Sequence, residues 1–113
     1  MSSELTKSSV PVRVHYLGLR PSSALRGLVD EEAARLGSYA KLIESCELHV
    51  GNWHLHQDSG HLYRVSLEIQ LVDGRGELST TRESEVNPQS EALAVALRQA
   101  FEASLMRLQH AAS

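Results

Sequence analysis

At 113 residues the chain can bury one sheet and one helix layer, and it is too short for two independent cores. Its 42% hydrophobic and 22% charged residues suit an ordinary globular protein, with no apolar run near the roughly 20 residues that cross a bilayer. A net charge of −3 excludes a broad cationic surface and leaves only a local patch for any grip on phosphates, while a single cysteine excludes an internal disulfide.

Residues 1–9 are polar and lack the apolar core of a secretory signal, so they read as a flexible N-terminal tail. One domain is expected over residues 10–110. In residues 10–17, Val10, Val12, Val14 and Tyr16 alternate with Arg13 and His15, the pattern of a half-buried strand. Pro21-Ser22-Ser23 supplies a turn and an N-cap hydroxyl for a helix. Leu25, Leu28, Val29, Glu32 and Leu36 form its buried stripe, with Glu32 the polar exception. Gly37 offers a helix end, and Tyr39, Leu42 and Ile43 should pack beneath the sheet.

Cys46, Leu48 and Val50 alternate with Glu47 and His49, and Cys46 reads as a small buried hydrophobe. The clearest strand follows, with Tyr63, Val65, Leu67, Ile69 and Leu71 inward and Arg64, Ser66, Glu68 and Gln70 outward. Asp73-Gly74-Arg75-Gly76 is a hairpin signal leading into a Thr- and Ser-rich strand over residues 77–83. Asn87-Pro88 suits an N-cap followed by proline at the first helical position. The last helix should run to about Gln109 and bury Leu93, Leu97, Ala100, Phe101, Ser104 and Leu108.

The order is β-α-β-β-β-α. It predicts an α+β two-layer sandwich, a four-stranded sheet with two helices packed on one face. The last three strands should pair antiparallel. The open face should show Arg13, His15, Glu47, His49, Arg64, Ser66, Glu68 and Gln70, with charges paired across strands.

Leu62-Tyr63-Arg64-Val65, Gly76-Glu77-Leu78, Arg82-Glu83 and the helix word Ala96-Leu97-Arg98-Gln99-Ala100-Phe101 occur in this order after a His-rich turn. Leu25-Arg26, Ala34-Arg35-Leu36 and Tyr39 precede them. Together these resemble the ribosome hibernation-promoting factor and ribosome-associated inhibitor family, also called sigma modulation proteins, over roughly residues 10–109. The resemblance implies a cytoplasmic, stress- or stationary-phase translation inhibitor. Such a protein binds the small ribosomal subunit and its rRNA in the mRNA channel and has no chemistry of its own. It also implies a short form without the dimerisation domain of longer members. The phosphate-contact candidates it implies are Arg20, Arg26, Arg35, Lys41, Arg98 and Arg107, on or beside the two helices.

Helix one carries Arg26 and Arg35 against Asp30, Glu31 and Glu32; helix two carries Arg98 and Arg107 against Glu91 and Glu102. This acidic balance keeps a second reading open: a diverged relative working through protein contacts or as a homodimer. Val95, Leu105 and Met106 are its candidate contact residues. His49, His54, His56 and His61 surround one turn with Trp53. They read as a solvated turn rather than a metal site, with RNA stacking on Trp53 as an alternative. No Gly-rich phosphate loop, nucleophile elbow or carboxylate pair marks an enzyme, and no cofactor, DNA or membrane partner is expected.

Overall fold

The computed structural model describes residues 2–6, 9–54, 61–84 and 89–112. Five strands form one sheet in chain order. They are β1 (Ser2–Leu5), β2 (Arg13–Leu17), β3 (Ile43–His54), β4 (His61–Leu71) and β5 (Glu77–Ser84). Helix α1 (Ser23–Ala34) connects β2 to β3, and α2 (Gln89–Ala112) follows β5. The α+β sandwich is therefore as expected, with one strand more than the four read from the sequence.

The additional strand lies in the stretch read as a loose tail. Ser2–Leu5 pairs antiparallel with β2, from Ser2 opposite Tyr16 to Leu5 opposite Arg13. It carries no alternating apolar pattern, and Leu5 is 55% exposed. Polar bonds anchor it instead. Glu4 accepts two bonds from Arg26 Nε, at 2.9 and 3.1 Å, and Thr6 Oγ1 accepts the Val12 N–H at 2.9 Å.

β2 and β3 run parallel, which the α1 crossover makes possible. β3, β4 and β5 are antiparallel neighbours. Gly18 leaves β2 at φ 69°, where a Cβ would lie 3.2 Å from the Asn52 carbonyl oxygen, so any side chain there is both strained and crowded. Between β4 and β5, Asp73 and Gly74 both take the left-handed conformation, with φ of 57° and 65°. Leu71 N–H donates to Gly76 O at 2.8 Å and closes the turn read from the Asp-Gly pair.

Ser22 caps α1: its Oγ accepts the Leu25 N–H at 3.1 Å. The α geometry ends at Ala34 rather than at Gly37, and the chain continues as a 3-10 turn over Arg35–Leu42. Tyr39 breaks that turn at φ −115°, and its ring and Ile43 pack against the core. The Asn87-Pro88 cap lies outside the described residues.

Both helices cover one face of the sheet. Val12, Val14, Tyr16, Cys46, Leu48, Val50, Val65, Leu67 and Ile69 meet Val29, Ala33, Leu36, Leu97, Phe101 and Leu108 in one buried cluster. All six positions of the expected α2 stripe are buried, Ser104 included. Among the described residues no helix covers the opposite face of the sheet, which sets up two distinct surfaces.

Candidate functional site

The helical surface contains the sequence-derived candidates. α1 and α2 pack side by side and leave a groove of about 780 Å³ between them. Leu25, Leu28, Leu93 and Ala94 line its apolar part, with Arg20, Arg98 and Glu31 as the charged members. Arg20 and Arg98 are exposed and make no hydrogen bond or ion pair among the described residues. Both guanidinium groups can therefore turn toward an anion without first breaking an internal contact.

Three other candidates are engaged within the protein. Arg26 pairs with Glu4 of β1. Arg35 donates to Glu102 Oε2 at 2.6 Å and to Glu32 Oε1 at 2.9 Å. These two hydrogen bonds raise the Arg35 pKa further, Glu102 contributing most. Arg107 donates to the Ser79 carbonyl of β5 at 2.7 Å. Lys41 is exposed but borders a separate hollow with Tyr39, Arg75 and Ala112. The six candidates thus do not form one patch: Arg20 and Arg98 share the groove, and Arg35 joins Arg98 along the flank of α2.

That flank holds a residue absent from the sequence-derived set. Arg82 lies opposite inward-facing Val65, so the period of two directs it to the helix side of edge strand β5. It lines a hollow with Arg35, Arg98, Gln99, Glu102 and Met106. The signal in the sequence was its alternation with Leu78 and Thr80, which put a cation at an inward position of a polar strand.

The possible protein-contact residues separate in the same way. Met106 is 56% exposed. Val95 is half-buried, and Leu105 packs against the core, so it offers less surface than its helix position suggested.

The open sheet face bears out the expected cross-strand pairing. His15 Nε2 sits 3.0 Å from Glu47 Oε1, and His49 Nε2 sits 3.3 Å from Glu68 Oε1. Arg64 donates to Glu83 at 3.0 Å, and the Ser66 and Thr81 hydroxyls are 2.9 Å apart. The hydrogen bond from His15 holds the Glu47 carboxyl below the usual carboxylate range. The parallel register places His15 beside His49, and their rings stack with centroids 4.7 Å apart. His15, Glu47 and His49 present ligand atoms all within 4.8 Å of one another. His49 therefore has His15 as its ring partner. The side chains of Trp53, His54 and His61, and all of His56, lie outside the described residues.

Cys46 is buried, as read from the strand pattern, and burial pushes its thiol up to about 12. A thiol protonated at neutral pH is a poor nucleophile. No helix of the described structure is long and apolar enough to cross a membrane.

No family model and no curated protein matches the chain. Solved structures do. A ribosomal subunit interface protein from Coxiella burnetii superposes with a TM-score of 0.64 at 14% identity, over 88% of this chain and 98% of that one. The N-terminal domain of Protein Y from Thermus thermophilus gives a TM-score of 0.61 at 17% identity, over 85% of this chain and 93% of that one. These likenesses establish the shared fold, and they agree with the resemblance carried by the sequence words.

Proposed function

We propose that this protein is a ribosome-associated, hibernation-type factor that docks its helical face on small-subunit rRNA and inhibits translation in the cytoplasm under stress or in stationary phase. The observation that carries this reading is the shared fold with a ribosomal subunit interface protein over 88% of this chain and 98% of that one. The sequence words support it independently, since they fall in the same order along the chain. The reading needs no reaction, and the one thiol, Cys46, is buried, which raises its pKa.

Arg20 and Arg98 are the principal phosphate contacts in this reading, extended along α2 by Arg35 and Arg82. Arg26, Arg35 and Arg107 can also reach phosphate once their internal partners release them. For the exposed Arg26–Glu4 pair such release costs about 0–1 kcal/mol, and for Arg35 it costs more because its partner Glu32 is mostly buried. Lys41 would act only if the footprint extends to the far end of the 3-10 turn. Because the total charge is negative, affinity depends on this local set and must fall as salt rises.

Purified protein is sedimented with small ribosomal subunits at low and at physiological salt. Salt-sensitive co-sedimentation that Arg20→Ala/Arg98→Ala loses supports the proposal. Arg26→Ala/Arg35→Ala/Arg98→Ala/Arg107→Ala should lose it as well, with a thermal melt to show that the fold remains. Absence of co-sedimentation at low salt would reject ribosome binding. Exposed Met106, beside the Arg98 and Arg35 hollow, favours protein contact as the second reading. Under that reading, association survives high salt and Met106→Glu abolishes it.

A further inference from the structure

We propose that His15, Glu47 and His49 form a binding site for a late first-row divalent metal ion, with Zn²⁺ as the reference cation, on the open face of the sheet. Three features of the backbone build it. The parallel pairing of β2 and β3 sets His15 directly opposite His49. The strand period of two places Glu47 on the same face as His49. The antiparallel pairing of β3 and β4 then puts Glu68 opposite Glu47, and its Oε1 lies 3.3 Å from His49 Nε2.

Two imidazoles and the Glu47 carboxylate thus converge from two adjacent strands, while Glu68 on β4 touches His49 but lies outside the set whose ligand atoms are mutually within 4.8 Å. A tetrahedral Zn²⁺ with bonds of about 2.0–2.2 Å needs neighbouring ligand atoms about 3.4 Å apart. The His15–Glu47 contact, at 3.0 Å, is already close to that spacing. The whole His15, Glu47 and His49 set lies within 4.8 Å, and binding tilts the two stacked imidazole rings apart so that both ring nitrogens aim at one ion. The chemistry also fits. Two imidazole nitrogens with one carboxylate oxygen suit Zn²⁺ and its late first-row neighbours, leaving the remaining coordination to water.

The Nε2 atoms of His15 and His49 that now face carboxylates would face the metal instead. Two cations oppose the site. Arg13 lies beside Glu47, and Arg64 borders the hollow formed with His15, His49 and Glu68. Arg64 is drawn aside by Glu83 at 3.0 Å. All three donors keep solvent access, with side-chain exposures of 27% for His15, 46% for Glu47 and 43% for His49. An ion can therefore enter without local unfolding.

The histidines of the hairpin turn supply the control. Calorimetry of the full chain with Zn²⁺ alone, in a non-chelating buffer at neutral pH, should give one site per chain. His15→Gln and His49→Gln should each weaken it about tenfold or more, and Glu47→Gln should weaken it too. His54→Gln/His56→Gln/His61→Gln should bind as the unchanged protein does. A melt in chelator shows whether each variant is folded. The same titration followed by the imidazole proton signals of His15 and His49 reads the site directly, without any substitution. Absence of Zn²⁺ binding would overturn the proposal. So would binding unaffected by His15→Gln and His49→Gln, or any loss in the hairpin variant.

Discussion

Glu32 shows how one residue's environment is set by two helices. It sits in the buried stripe of α1, and its side chain is only 10% exposed. Arg35 neutralises it while also reaching Glu102 on α2. Arg35→Ala would leave a mostly buried carboxylate without its cation, at a cost of about 1–3 kcal/mol. Arg35→Ala/Glu32→Gln should recover part of that loss, and chemical denaturation of the two variants measures the difference. Glu47 makes a pH-dependent contribution. Its carboxyl is more acidic in the folded state because His15 hydrogen-bonds to it. The resulting stabilisation is fully present above the unfolded carboxylate pKa and is lost as pH falls through the lower folded value. Glu47→Gln should therefore flatten the acid limb of the stability profile, and an unchanged acid limb would show that the bond contributes nothing in solution.

Among the elements, β1 departs most from sequence expectation. Periodicity identifies a strand that buries one face, and β1 buries little. It is placed by backbone pairing to β2, by the Glu4–Arg26 ion pair and by Thr6 under Val12. Removing residues 1–6 should cost at least about 1–2 kcal/mol, the value of one buried hydrogen bond plus an exposed ion pair before the β1–β2 ladder is added, and lower Tm by several degrees. A melt at unchanged Tm would show that β1 adds no stability. By contrast β4, α2 and the middle of β3 were legible, because each alternates or repeats apolar residues with the period of its element, although β3 extends from Ile43 to His54, beyond the alternation at residues 46–50 and into the His-rich stretch read as a turn. The end of α1 was read three residues late: Gly37 is a plausible stop, but packing of Leu36 and Tyr39 converts the last turns to 3-10 geometry before it.

Across the whole molecule, electrostatics decides between the two functional readings. With a net charge of −3, distant charges repel RNA, so binding must come from a few close contacts. Each phosphate contact steepens the dependence of log affinity on log salt by about 0.7–0.9. Arg20→Ala/Arg98→Ala should then lower that slope by about 1.5 if both arginines touch phosphate. An unchanged slope with weakened binding would move the contact to apolar surface near Met106. The sequence by itself determined the sandwich, the helix-covered face and the inward set from Val12 to Leu108, because burial imposes periods that can be counted along a chain. It also offered Arg20 and Arg98 among six candidates chosen by their position on or beside the helices. Only the tertiary structure decided that these two share a groove while Arg26, Arg35 and Arg107 are held by internal partners, and that Arg82 joins the α2 flank. Only the parallel register of β2 and β3 brought His15 to His49 across 34 residues of sequence. Side-chain partnership depends on distances between elements, and local periodicity carries no information about those.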